Sequence, residues 1–365
     1  MAQLHDLYTI HRQSPWLDNL RRGWINSGEL QTWLDRGIRG ITSNPTIFAK
    51  AMIETDDYDA DLAELVSTGA SVEEAYWSLV MADIRHAVGL LGQVHTASDG
   101  EDGYVSVEVS PTLAHDEQAT VAAARDLDDQ ITAPNLYIKV PATIEGVPAV
   151  KTLIAEGRSV NVTLIFSLER YQAVMEAYLE GLQAHPSADL SSISSVASFF
   201  VSRVDVEVDR RLNEIGTEQA LALRGKAAVA QAQLAYQRFL ATFSGDRWDA
   251  LAARGARRQR PLWASTSTKD PSYPDTLYVD TLIGPDTVNT LPDATLHAFD
   301  DHGTLARTVD ADPDTAAAVI ESLAELGIDI EEVAAKLERE GVDSFAKSFD
   351  EVLATLGQRV GAIEL

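Results

Sequence analysis

About eight short runs rich in β-branched and aromatic residues, separated by longer helix-like segments, constrain this chain most strongly. In order they are SPWLDN, GITSN, GYVSVEVS, LYIKVP, SVNVTLIF, SSVASFFVS, PLWASTST and VNTLPDATLHA. Between them lie SGELQTWLDRG, DYDADLAELVSTG, SVEEAYWSLVMADIRHAVGLLG, DEQATVAAARDLDDQ, GVPAVKTLIAEG, SLERYQAVMEAYLEGLQ and a long stretch from Val206 to Arg254; DPDTAAAVIESLAELG follows the last run. Ser27 ahead of Gly28, Ser71 with Glu74 three residues on, Asp116 and Ser167 read as helix starts. This alternation predicts an α/β protein: a single closed (β/α)8 barrel of the TIM type, one domain over residues 1–365. Residues 331–365 are expected as additional C-terminal helices packed on the barrel. The alternative is a doubly wound open sheet, which usually carries a glycine-rich turn after its first strand. Neither GxGxxG nor GxxxxGK[ST] occurs here.

The formal net charge of −27 argues against nucleic-acid partners and anionic membranes. It also repels phosphorylated substrates at long range, so a phosphate site needs its own local cations. The basic run ARGARRQR, Ala253 to Arg260, reads as a solvated helix end in so acidic a chain. With no cysteine, disulfides and thiolate chemistry are excluded. The start, MAQLHDLYTIHRQSP, lacks the basic and apolar regions of a secretory signal, and no apolar run is long enough for a bilayer. A cytoplasmic location is the expectation.

Lys139 interrupts the apolar run LYIKVP. A buried lysine pairs, snorkels to water or gives up its proton. The other lysines, Lys50, Lys151, Lys226, Lys269, Lys336 and Lys347, all fall in helix-like or loop-like contexts. Two-residue periodicity sets Val105, Val107 and Val109 on one strand face and Ser106, Glu108 and Ser110 on the other. It likewise opposes Val160, Val162 and Leu164 to Asn161 and Thr163, and pairs Thr42 with Asn44. Polar residues on several strands of a barrel, whose outer face is covered by helices, point to a polar interior. An amine attacks a carbonyl only when neutral; a lysine pKa of ~10.4 falls when burial lacks a close carboxylate partner. Schiff-base chemistry then requires an acid/base to move protons and neutral groups to orient hydroxyls. Glu108, Asp18, Asn44, Asn161, Thr163 and Ser198 supply such groups around Lys139. Bland readings stand beside these. Lys139 can be a structural partner of Glu108, Asp18 a turn or cap residue, Arg203 the start of a surface helix paired with Asp205 or Glu207, and Lys269 a solvated loop lysine. His115 reads as an ordinary loop histidine, and Phe345 and Phe349 as one packed face of the C-terminal helix.

WLDN, GITSNPTIF, VSVEVSP, YIKVPAT and EGVPAVKTLIAEGRSVNVTLIFSLERY occur in this order along the chain. On these stretches it resembles the transaldolases, over nearly its whole length. The resemblance implies a class I aldolase-type barrel without metal or cofactor, and sugar phosphates as partners. A dihydroxyacetone unit would pass from sedoheptulose 7-phosphate to glyceraldehyde 3-phosphate, giving erythrose 4-phosphate and fructose 6-phosphate. It implies Lys139 as the Schiff-base lysine, Glu108 as an acid/base working through a water held by Thr163, and Asp18 as the group exchanging the hydroxyl proton in carbon–carbon cleavage. Asn44, Asn161 and Ser198, with Ser106 beside them, would hold substrate hydroxyls, and Arg203 the phosphate. One departure stands out. Many transaldolases carry a second phosphate-binding arginine after the seventh strand, where this chain reads WASTSTKDPSY, with Lys269 in reach as the substitute. A monomer or homodimer is expected. A fructose 6-phosphate aldolase and a non-catalytic sugar-phosphate-binding barrel are the competing functions.

Overall fold

A computed structural model describes residues 3–363. Seven strands form one wholly parallel sheet: β1 (Gln13–Leu17), β2 (Val105–Glu108), β3 (Leu136–Pro141), β4 (Val160–Ile165), β5 (Ser195–Phe200), β6 (Arg260–Ala264) and β7 (Thr287–Leu291). Their spatial order is β1-β7-β6-β5-β4-β3-β2, and helices cover the connections. GITSN, expected as a strand, is not one; only Ile41 forms β-bridges, parallel to Leu17 and to Val105. Residues 39–42 nevertheless bond to both edges of the sheet. Arg39 N donates to Pro15 O and Thr42 N to Leu17 O, both at 2.9 Å; on the other side Ile41 N donates to Tyr104 O at 2.9 Å and Ser106 N to Ile41 O at 3.0 Å. The segment stays short because Asn44 already caps the helix Pro45–Glu54, accepting from Ile47 N at 3.0 Å, and Pro45 has no amide to extend a ladder. Gly40 lies so close to Trp16 that a Cβ there would come within 2.3 Å of the indole.

Other expectations are corrected locally. The last run ends at Leu291, and Asp293–His302 is a helix that begins after Pro292. The stretch after Val206 breaks into four helices, the first being Ser202–Ile215. Residues 330–363 form one helix, Ile330–Ile363, not several. Ser71 makes a complete capping box with Glu74, and Asp116 and Ser167 cap their helices. Ser27 does not; Gly28 takes that place in the left-handed conformation. In β4 the register shifts between Val162 and Ile165, and Leu164 has φ +58°. This bulge removes Leu164 from the alternation with Val160 and Val162 and places it against Gly341 of the C-terminal helix.

Contacts across non-adjacent strands show what fills the inside of the curled sheet. Trp16 of β1 stacks near Tyr137 of β3, and Tyr137 stacks on Tyr104 with ring centroids 4.0 Å apart. Below them, at the N-terminal ends of the strands, Asp102 is fully buried and accepts from Ser14 Oγ, Arg39 Nε and Arg260 Nη2 at 2.7, 2.7 and 2.9 Å. Burial opposes its charge, but Arg260, then Arg39, hold its carboxyl below the usual range. The run ARGARRQR is therefore partly internal: Arg260 belongs to this buried network, while Arg254 and Arg257 bond backbone carbonyls.

Asp205 is the opposite case. It is 1% exposed, accepts from Ala228 N and Tyr278 Oη, each at 2.8 Å, and has no cation partner among the described residues. Burial lifts its pKa to about 6. A raised folded-state pKa means a stabilising contribution that is complete below the ordinary carboxylate range and lost as pH climbs through about 6. Integrated over that interval, the loss is on the order of 3 kcal/mol. Thermal melts of wild type and Asp205→Asn between pH 4 and 7 should therefore diverge with rising pH, the variant losing less stability. Parallel curves would show that Asp205 is not the titrating group.

Candidate active site

The strand register brings the candidate residues together. Glu108 of β2 pairs with Lys139 of β3, and Lys139 with Asn161 of β4. Lys139 Nζ donates to Glu108 Oε2 at 2.9 Å and to the Ser43 carbonyl at 3.2 Å. Lys139 is 4% exposed and Glu108 6%. Lys139 thus has the close carboxylate of the alternative that pairs it with Glu108, whose absence the neutral-amine expectation required. Burial raises the Glu108 pKa, the nearby Lys139 charge draws it back, and the net direction is upward. Glu108 is therefore a better proton acceptor than an exposed glutamate.

Asn161 Nδ2 donates to Ser106 Oγ at 3.0 Å, and Ser198 Oγ donates to Asn161 Oδ1 at 2.7 Å. This links one polar face across β2, β4 and β5. The Thr163 hydroxyl is buried without a hydrogen-bond partner. Asp18, just beyond β1, accepts from Thr42 Oγ1 at 2.8 Å, and Thr42 shares a 2.6 Å bond with Thr290. Burial raises the Asp18 pKa; Lys139 is the largest opposing influence, so the two groups share one electrostatic environment. The helix Arg22–Ser27 has Arg21 at its N-cap, so Asp18 is not a helix cap. Asn44 spends its side-chain oxygen on capping, which leaves the amide nitrogen as its free donor.

Arg203 opens the helix Ser202–Ile215. Among the described residues neither Arg203 nor Lys269 forms an ion pair; the Lys269 ammonium donates to Ser267 Oγ at 2.6 Å. Burial, then the charge of Arg203, holds Lys269 below the usual lysine range. Burial likewise lowers Arg203, opposed by Glu340 and Asp18. Two cations outside any ion pair thus act on each other and share the field of Asp18. His115 lies outside this group, exposed and 3.3 Å from Glu145.

A sequence model of the family described as Transaldolase/Fructose-6-phosphate aldolase matches residues 15–356. Among curated relatives, a protein named Transaldolase from Thermobifida fusca (strain YX) is 54% identical over 351 residues, covering 95% of each chain. The chain belongs to the transaldolase/fructose-6-phosphate aldolase family. Proteins of the same name from Saccharopolyspora erythraea and Mycolicibacterium smegmatis are 52% and 50% identical, covering 95% and 94% of each chain respectively.

Several neighbours of the site in this family member had no signal of their own in the sequence. The Ser43 acceptor is a backbone carbonyl. Tyr76, whose phenol burial and Glu108 push up, lines a cavity of about 10 Å³ behind Glu108 with Ser43, Asn44 and Phe349. Phe345 reaches the site from the C-terminal helix, its ring centroid 5.7 Å from Lys139 Nζ. Its spacing from Phe349 revealed the buried face. That one residue of this face meets the lysine while the other packs on Tyr76 and Trp77 follows only from where the helix crosses. Among the described residues no helix is long and apolar enough to cross a membrane.

Proposed function

We propose that the protein is a transaldolase in which Lys139 carries a dihydroxyacetone unit as a Schiff base, from sedoheptulose 7-phosphate to glyceraldehyde 3-phosphate. The contact between Lys139 and Glu108 carries the reading. Glu108 takes a proton from the ammonium, and the freed amine attacks the donor ketone at C2. Glu108 returns the proton to the carbinolamine hydroxyl, which leaves as water; the Thr163 hydroxyl is the natural place to hold that water. Asp18 then takes the proton of the C4 hydroxyl. The C3–C4 bond breaks, its electrons pass to the iminium to give an enamine on Lys139, and erythrose 4-phosphate leaves. In the second half the enamine carbon attacks the acceptor aldehyde, Asp18 gives its proton to the new alkoxide to make the hydroxyl, and hydrolysis of the iminium releases fructose 6-phosphate. Ser106, Asn161, Ser198 and the Asn44 amide hold the dihydroxyacetone hydroxyls. Arg203 and Lys269 hold the phosphate, Arg203 as a bidentate fork and Lys269 as a point charge.

The bonding of residues 39–42 to both sheet edges supports a closed eight-stave barrel, in which Ile41 marks the shortest stave. The described chain is then one domain with residues 331–363 packed on it (364 and 365, the end of that expectation, lie outside the described residues), working on sugar phosphates in the cytoplasm as a monomer or homodimer.

The test is to incubate the protein with fructose 6-phosphate, reduce with borohydride and map the adduct by peptide mass. A reduced dihydroxyacetone unit on Lys139 is expected. Folded protein that acquires no adduct would support a binding protein instead.

A further inference from the structure

The loop of residues 265–276 carries Lys269 from β6 towards the short helix Leu277–Asp280. It is fastened to the helix Ser202–Ile215, the same helix that bears Arg203. Tyr273 Oη donates to Asp209 Oδ2 at 2.6 Å, and Tyr278 Oη donates to Asp205 Oδ2 at 2.8 Å. The second oxygens of these carboxylates accept from Gly225 N at 3.0 Å and Ala228 N at 2.8 Å. Arg224 adds a 2.8 Å contact to Asp270, the residue after Lys269. The Tyr273 ring lies on Gly225, where a Cβ would come within 2.9 Å of the ring. A cavity of about 430 Å³ opens beside this seam, lined by Lys269, Tyr273, Arg224 and Asp209 among others. Asp205 and Asp209 sit one helical turn apart, both buried, and no step of the proposed chemistry uses them.

These ties work against a repulsion. Lys269 and Arg203 are like charges in no ion pair among the described residues; for Lys269 the charge of Arg203 outweighs that of Asp18, and its one hydrogen bond goes to Ser267 of its own loop. Nothing in its own side-chain contacts opposes movement away from Arg203, so the loop must be held elsewhere.

We propose that Tyr273 with Asp209, seconded by Tyr278 with Asp205, are positioning residues that hold the Lys269 ammonium against the Arg203 guanidinium where the substrate phosphate binds. One helix thereby sets both cations, through its first turn and through its buried carboxylates. The inference rests on the reading that the phosphate lies between Arg203 and Lys269.

Tyr273→Phe keeps the ring on Gly225 and removes only the hydroxyl. Inorganic phosphate as a competitive inhibitor is the probe. Its inhibition constant, and KM for fructose 6-phosphate, are expected to rise about fivefold to tenfold, while kcat changes less than about twofold. This is only part of the worth of one hydrogen bond to a charged group, about tenfold or more, because the loss reaches the phosphate only through Lys269. In Asp209→Asn the amide oxygen can still accept from Gly225 N while the amide nitrogen donates to Tyr273 Oη, so this variant should keep most of the binding. In a Lys269→Ala background Tyr273→Phe should add nothing further, because the two act through one contact. Equal phosphate inhibition in wild type and Tyr273→Phe, or full additivity with Lys269→Ala, overturns the inference. Unchanged inhibition in Lys269→Ala overturns it as well, by removing Lys269 from the phosphate site. Borohydride trapping on Lys139 runs in parallel: its absence in wild type would sink the transaldolase reading itself, and its persistence separates that failure from this one.

Discussion

Lys139→Ala protein should fold, bind sugar phosphate and turn none of it over. Every bond change in the proposed cycle passes through the lysine nitrogen, and the described residues offer no second amine in its place. Lys269, the other lysine near Asp18, projects from the loop after β6 and points its ammonium at Ser267. Loss on the order of 10⁵-fold in kcat is expected, the scale reached when a covalent nucleophile is removed from other enzymes. Stability should change much less. The substitution leaves Glu108 without a cation, but the pKa of Glu108 is already raised by burial, so the carboxyl can take a proton and become neutral. Steady-state turnover, a borohydride adduct assay and a thermal melt on one preparation settle the matter. Measurable turnover above a Lys139→Met control, or an adduct on another residue, would transfer the chemistry away from Lys139. A melt near that of wild type is needed for the loss to be read as chemical.

The polar interior was legible in the sequence because strand periodicity is local. Ser106 and Glu108 alternate with valines, and Asn161 and Thr163 do the same. The structure brings Ser106, Glu108, Lys139, Asn161 and Ser198 into two hydrogen-bonded sets on adjoining strands, Lys139 with Glu108 and Asn161 with Ser106 and Ser198. Local signals also failed in identifiable ways. GITSN has β-formers but is flanked by a glycine forced by Trp16 and by an asparagine that caps a helix, so only Ile41 pairs. VNTLPDATLHA contained its own boundary at Pro292, and the helical spacing of Leu296 and Phe299 follows it. The bulge at Leu164 carries no glycine to announce it. Contacts between distant segments were invisible for a different reason. Phe345 over Lys139 and Tyr278 on Asp205 join residues far apart in the chain, and nothing in the sequence around either residue names its partner. The pairing of Lys139 with Glu108 was legible only as one of two alternatives: the flanks of Lys139 imply its burial, whereas the ion pair depends on the register of β2 against β3.

That ion pair fixes what Glu108→Gln should do. The amide preserves the shape and an acceptor for Lys139, but it cannot take a proton. Imine formation then relies on solvent, so kcat should fall by about 10²- to 10⁴-fold, the usual worth of a positioned general acid/base. Trapping with borohydride should be slow yet reach the same adduct on Lys139, since the nucleophile is intact. The pH dependence supplies the sharper test. Glu108 acts as a base only when ionised, and burial lifts its pKa above the ordinary carboxylate range. In wild type the rate of imine formation should therefore rise with pH through that raised value, and this acid limb should be missing from Glu108→Gln. A variant that keeps the limb would assign it to another group, with Asp18 first in line because burial raises its pKa too. A variant that forms no adduct at any pH would make the carboxylate indispensable for the attack itself, which the 2.9 Å contact alone does not require.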